Sequence, residues 1–414
     1  MRVPQELVNE IISHVEWRGS DTAHLVRLLE ASAPVFSSQI CAILHERPVE
    51  FSVENYRSLS AISELCPEAM DSIWHVTIER NQPRAHPQHR EETYHQEETG
   101  LARLLDACTR LRSISVDLRM QGWQEGLQCE EQREAIYRAM QRPSLQSLSI
   151  SRTRLGEEDE ARFRSLKLPA SLRSVRVSTI GTFEAYAAET EVPSRLPELR
   201  ELAFDDCCVN FVFMMGFASC CALKTLEYCA DGSIDDGHLI AQLLRANTGL
   251  ECLTLGTVSG PFSRFPQYDL SHIRALRSLI VVLETRVHRS AIENVASTVG
   301  TIRDIGSLDT FTLMIPFDGE RNVVDLQQWI TLEDALLRPD GRAPRIVHIR
   351  HRNHTNCSFA DDERHFQETI QHFLSRLNER GILDVVFWVD MPSYKGKYTG
   401  ILLIVLRGKV YLYK

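Results

Sequence analysis

The apolar run near the end, Ile401-Leu402-Leu403-Ile404-Val405-Leu406, is far too short to span a bilayer. It reads as a buried strand, and no membrane partner is expected. The opening residues are no secretory leader by this reading, because Gln5, Glu6, Asn9 and Glu10 interrupt any apolar run. Excess positive charge is also missing: 46 Lys and Arg face 56 Asp and Glu, a net charge of −10. That balance argues against a general nucleic-acid partner. No C-x-x-C pair occurs among the 11 cysteines. Cys207-Cys208 and Cys220-Cys221 are adjacent pairs, a poor spacing for a zinc site. Free thiols in a reducing compartment, the cytoplasm or the nucleus, are the expectation.

Catalytic spacing is missing as well. There is no G-x-S-x-G, no G-x-x-x-x-G-K-[ST] and no H-E-x-x-H. Gly256-Thr257-Val258-Ser259-Gly260 places its serine wrongly for a nucleophile elbow, and Lys395-Gly396-Lys397 lacks the upstream glycine of a phosphate loop. No enzyme activity, catalytic residue, metal or cofactor is therefore expected. Two histidine groups remain. His86, His89 and His95 fall in a polar stretch over about 81–100, which reads as an exposed insertion with solvated histidines. His348, His351 and His354 follow Arg345 and Ile346; if this is a strand, His348 and Arg350 face away from Val347 and Ile349. No carboxylate is expected beside them, so an exposed basic edge or binding patch is expected there in preference to a metal site. The carboxylate pairs Asp205-Asp206 and Asp235-Asp236 read as turn and cap residues.

What the chain does have is a repeat. An L-x-x-L-x-L unit, with other apolar residues substituted, runs through Ile73/Val76/Ile78, Leu111/Ile114/Val116, Leu145/Leu148/Ile150 and Leu172/Val175/Val177. It continues through Leu199/Leu202/Phe204, Leu223/Leu226/Tyr228, Leu250/Leu253/Leu255, Leu276/Leu279/Val281 and Leu308/Phe311/Leu313. Weaker members are Ile346/Ile349 and Leu383/Val386/Trp388. First leucines at 145, 172, 199, 223, 250 and 276 give steps of 27, 27, 24, 27 and 26. Such periods belong to leucine-rich repeats. Helical material lies between, over Glu130–Met140 and Asp236–Ala246. A strand followed by a helix at this period predicts an α/β fold: a curved solenoid with parallel strands concave and helices convex. Ile401–Leu406, then Gly408 and Val410-Tyr411-Leu412-Tyr413, reads as a strand, a tight turn and a second strand that could close the array.

The N-terminal segment has a different grammar. Pro4 suits a first helical turn, Glu6 sits near the positive end of the dipole, and Leu7, Ile11, Ile12 and Val15 form one apolar stripe. Asp21 caps a second helix with Leu25, Leu28 and Leu29; Val35, Phe36, Ile40, Ile43 and Leu44 mark a third. Val3-Pro4-Gln5-Glu6-Leu7 with Ile11-Ile12 resembles the start of an F-box. The match is looser at Ala31–Phe36, where Pro34-Val35 replaces the usual basic residue. It covers about a ninth of the chain. The resemblance implies a three-helix F-box-like domain over 1–48 and a degenerate leucine-rich-repeat array over 49–414, as in fungal-type F-box proteins. It implies the substrate-recognition subunit of an SCF-type cullin-RING ubiquitin ligase. Pro4, Leu7, Ile11, Ile12, Leu28 and Phe36 would contact a Skp-family adaptor, and through it a cullin; the repeats would hold an unknown protein substrate. The alternative is a leucine-rich-repeat interaction scaffold with no ubiquitin role.

Substrate would meet the residues between the inward leucines. In the first repeats these are small and polar: Ser113, Ser115, Ser147, Ser149, Ser151, Ser174 and Ser178. The middle repeats offer Arg176 near Glu201, Asp205 and Glu227, and the later ones Ile280, Val282 and Met314, apolar where solvent is expected, which reads equally as a partner-binding patch or as a surface covered by a terminal segment of this same chain. These seven are the candidate substrate contacts.

Overall fold

The computed structural model describes residues 41, 45, 49–51, 56–79, 91–127, 129–181, 198–217, 220–230, 237–257, 265–283, 291–316, 326–353, 359–389, 402–406 and 409–413. The chain divides into two units, Met1–Ala187 and Ala188–Lys414. The three N-terminal helices expected over 1–48 lie almost wholly outside the described residues.

In the first unit the strands are β1 (Val49–Glu50), β2 (His75–Glu79), β3 (Ser113–Gly122), β4 (Ser147–Arg154) and β5 (Ser174–Gly181). Each pairs in parallel with the next in sequence. The connections carry helices α1 (Tyr56–Leu65), α2 (Glu68–Asp71), α3 (Glu91–Ala107), α4 (Trp123–Gly126), α5 (Glu130–Met140) and α6 (Glu157–Ser165). Helix α5 has the bounds that its sequence predicts. Helix α3 takes the second half of the stretch read as a polar insertion. Its C-terminal turns hold the reason: Leu101, Leu104 and Leu105 are buried at helical spacing.

The second unit repeats the arrangement. Strands β6 (Glu201–Asp205), β7 (Thr225–Ala230), β8 (Cys252–Thr257), β9 (Ser278–Val282), β10 (Thr310–Pro316), β11 (Ile346–Asn353) and β12 (Leu383–Val389) form a parallel ladder in chain order. Its helices are α7 (Val209–Met214), α8 (Gly237–Ala246), α9 (Ala291–Gly300), α10 (Leu326–Leu336), α11 (Phe359–Phe373) and α12 (Ser375–Glu379). Strands β13 (Leu402–Leu406) and β14 (Lys409–Tyr413) pair antiparallel as a hairpin.

All 27 residues of the nine full L-x-x-L-x-L units are buried. Parallel register stacks them: Leu226, Leu253, Leu279 and Phe311 stand side by side on β7 to β10. Burying each such side chain contributes about 1.5–3 kcal/mol. A second feature recurs at the strand starts. One carbonyl accepts two successive N–H groups from the next repeat, as Gln146 does from Arg173 and Ser174 at 2.9 and 3.0 Å. Arg112, Arg200, Lys224 and Glu251 do the same. One buried side chain performs a similar task. Asn247 accepts the Leu223 N–H at 3.0 Å and donates to the Cys220 and Leu243 carbonyls, each at 2.9 Å.

The last two repeats sit in a register different from the expected one. Phe311 pairs with Val347 and Val347 with Leu383, so the inward residues are Val347 and Ile349 on β11 and Leu383 and Val385 on β12. Pro344, buried, takes the place of the first leucine. Ile346 is 37% exposed; Val386 pairs in an outward row yet is buried at 9% exposure. Apolar residues on both faces of these strands make the inward set ambiguous in sequence.

The first unit has a further device. Arg119, Arg152 and Thr179 all have φ between +51° and +53°. In β4 and β5 the pairs Ser151 with Ser178 and Thr153 with Ile180 flank Arg152 and Thr179, so these two kinks lie opposite each other. In β3 the register shifts between Asp117 and Gln121, around Arg119. Three successive strands therefore bend at one level, each through a residue that is not glycine.

Candidate interaction surface

Outward side chains in each ladder alternate with the buried ones. In the first unit the outward rows are Ser113, Ser147 and Ser174, then Ser115, Ser149 and Arg176, then Asp117, Ser151 and Ser178. All are half-buried except Arg176, which is exposed. Charges at the end of these rows are paired from strand to strand. Arg119 Nη2 lies 3.3 Å from Glu79 on β2, and Arg152 reaches back to Asp117 on β3, with Nε 2.9 Å from Oδ1. The Arg152 partner holds its guanidinium above the ordinary range. His75, at the start of β2, is pushed down by burial first and then by His45 and Arg112.

The second unit's rows differ. Glu201, Thr225, Cys252, Ser278, Thr310 and Ile346 share the first. The second runs Ala203, Glu227, Thr254, Ile280, Thr312, His348, and ends on Asp384. The third holds Asp205, Cys229, Gly256, Val282, Met314 and Arg350, and ends on Val386. Gly256 fits because a Cβ there would come within 2.8 Å of the Cys229 sulfur.

Among the candidate substrate contacts, Ile280, Val282 and Met314 are brought together on β9 and β10, half-buried on one face. The acids stand on two adjacent strands, Glu201 and Asp205 on β6 and Glu227 on β7 opposite Ala203. Glu201, Glu227 and Asp205 belong to three different rows of the second unit, and Arg176 belongs to the first unit. Asp205 stands at the end of β6, immediately before a 3-10 turn over Asp206–Cys208, as its turn reading requires. Asp235-Asp236, the His86 and His89 pair and the adaptor residues Pro4, Leu7, Ile11, Ile12, Leu28 and Phe36 lie outside the described residues.

The expectation for His348 needs correction. It does have a carboxylate beside it: Nδ1 is 2.9 Å from Asp384 Oδ2 on the next strand. The partner is 36 positions away in sequence, so only strand pairing reveals it. Arg350, one row along, has a buried Nε without a hydrogen-bond partner.

On the helical side a cleft is lined by Asp334, Leu337, Arg338, Arg376 and Arg380. Its cations are committed to structure. Arg338 Nη2 donates to the Gly300 and Ile302 carbonyls at 2.8 and 2.9 Å, closing the end of α9. Arg376 holds the buried Glu333 at 2.7 Å and also Asp334. Among the described residues no group of three His, Cys, Asp or Glu is placed to hold a metal ion. No helix of these residues is long and apolar enough to cross a membrane.

The repeats are thus leucine-rich-repeat-like in each unit: parallel strands in chain order, inward leucines in register and helices in the connections. No protein-family model matches the chain, and no curated protein does. A solved structure, the crystal structure of a TLR13–ssRNA13 complex, is similar over 77% of this chain at 16% identity, with a TM-score of 0.37. The match spans 38% of the length of that chain.

Proposed function

We propose that this chain is a substrate receptor of an SCF-type ubiquitin ligase. Its N-terminal helices bind a Skp-family adaptor, and through it a cullin, while the repeat faces hold a protein substrate. The chain supplies geometry, and the other subunits carry out the transfer; the setting is the cytoplasm or nucleus. The observation that carries the reading is the joining of two features. The pattern Pro4, Glu6, Leu7, Ile11, Ile12 stands in front of repeats whose outward rows present a varied, half-buried surface. A second reading, an interaction scaffold without a ubiquitin role, draws on Pro34-Val35, which departs from the F-box pattern where helix three would begin.

One pull-down of a purified Skp adaptor on the immobilised full chain separates the two. The receptor reading expects capture of the wild type and loss, by about a hundredfold in affinity, in the double variant Leu7→Asp with Ile11→Asp, since two charges would enter an apolar contact. Failure of the wild type to capture the adaptor leaves the scaffold reading. Capture undiminished by the double substitution removes the proposed contact surface.

A further inference from the structure

The outward face of β9 to β11 combines half-buried apolar residues with a cation whose Nε has no hydrogen-bond acceptor. Val282 pairs with Met314 and Met314 with Arg350, so one row runs apolar, apolar, cation across three neighbouring strands and ends against Val386, which is buried. Neighbouring strands lie about 4.8 Å apart, which makes the half-buried part of this row about 10 Å wide. Ile280 sits two residues back on β9, on the same face. The obvious internal partner for Arg350 is Asp384, on the adjacent strand, but Asp384 is already engaged by His348 at 2.9 Å. Arg350 itself is half-buried, its Nε is shielded from solvent, and that atom has no acceptor. An N–H in this position costs free energy until an acceptor arrives.

We propose that this face of the second unit binds a short peptide segment of another protein that carries an Asp or Glu carboxylate flanked by aliphatic or aromatic side chains. The carboxylate accepts from the Arg350 guanidinium, whose planar fork suits a two-oxygen acceptor. The flanking side chains lie on Ile280, Val282 and Met314. A monoanion fits better than a phosphate: among the described side chains of these rows Arg350 is the cation, Asp384 stands on the next strand, and the whole chain carries a charge of −10. This deepens the receptor reading by naming the chemistry of the segment it would hold. It does not depend on adaptor binding, so either can fail alone.

The test uses the full chain on an array of synthetic hexapeptides. Each has one fixed Asp among Leu, Ile, Val and Phe, and each has a sister in which Asn replaces Asp. Wild type is expected to bind a subset of the Asp peptides about tenfold more tightly than their Asn sisters. Arg350→Gln should bring that ratio close to one on the same peptides, and Met314→Asp should weaken both members of each pair. Should Arg350→Gln prove less stable on thermal unfolding, Arg350→Lys, which keeps the charge, must keep part of the preference. Equal binding of Asp and Asn peptides by wild type, a ratio retained in Arg350→Gln, or binding of no peptide at all would overturn the proposal. A wild type that selects Asp peptides yet captures no Skp adaptor would retain the site and lose the ligase role.

Discussion

The two units bury the same pattern and present different faces. Inward, Leu148 and Ile150 in the first unit correspond to Leu253 and Leu255 in the second, all at or below 1% exposure. Outward, the first unit shows serines and closes its charges on itself, Arg119 with Glu79 and Arg152 with Asp117. The second shows Ile280, Val282 and Met314 and leaves Arg350 without a partner at Nε. Backbone turns differ too. Among the described residues, the left-handed positions of the first unit are Arg119, Arg152 and Thr179, whereas those of the second are Gly216, Gly341 and Gly381. The inward rows therefore set the fold, and the outward rows are free to set the partner, because the strand's period of two separates the requirements.

Thiol chemistry exposes the largest contrast. The described cysteines exposed to solvent are Cys207, Cys221 and Cys252, all in the second unit, while Cys66, Cys108 and Cys129 in the first are buried. Alkylation with iodoacetamide, read peptide by peptide in a mass spectrometer, should label the exposed three about a thousandfold faster than the buried three. Comparable rates in the native protein would deny the burial of the first unit's core. The buried thiols also give a pH signature. Burial pushes Cys108 up to about 12, with smaller contributions from Arg142, which lowers it, and from Asp71 and Asp106, which raise it. Below the unfolded thiol value both states are protonated and nothing changes. Between that value and about 12 the unfolded chain loses a proton that the folded chain keeps, so stability falls as pH rises. Cys108→Ala should flatten that alkaline decline in urea unfolding followed by circular dichroism. An unchanged slope would mean that another group causes it.

Matched core deletions sharpen the likeness between the units. Leu148→Ala and Leu253→Ala each remove a side chain that is 1% exposed and stacked between two neighbouring strands. Each should cost about 2–5 kcal/mol in urea unfolding, the range for a cavity in a packed core. The outward neighbours Ser149→Ala and Thr254→Ala should stay within about 0.5 kcal/mol of wild type. A pair of inward deletions that differed by more than the outward ones would show that the ladders are not equivalent inside.

This likeness is also what made much of the fold legible. Nine leucine-rich units at a period of 24 to 27 over the central repeats suffice to place the strands, since every apolar position they mark is buried. Legibility ends where a residue's role depends on another strand. The pairing of His348 with Asp384 spans 36 positions and has no local signature. The register of β11 and β12 is masked by Ile346 and Val386, apolar residues of the outward rows. In the candidate site, Ile280, Val282 and Met314 are visible as apolar residues out of phase. Arg350 becomes notable only once its neighbours are known to leave it an empty acceptor position. The stacked kinks are hidden for another reason: a glycine would have announced them, and Arg119, Arg152 and Thr179 stand there instead.

Those kinks supply the smallest and most discriminating test of the comparison. A residue with a Cβ held at positive φ costs about 1–2 kcal/mol, and glycine removes that cost while adding about 0.5–1 kcal/mol of unfolded-state freedom. Thr179, at φ 53°, should therefore gain roughly 0.5 kcal/mol on substitution by glycine. Ser178, its neighbour within the paired part of β5, gains no such relief, and Ser178→Gly should lose about 0.5–1 kcal/mol. Opposite signs at adjacent positions, measured as shifts of the urea midpoint, are the expected outcome. Equal losses at both would mean that the left-handed position carries no strain and that the first unit bends there at no cost.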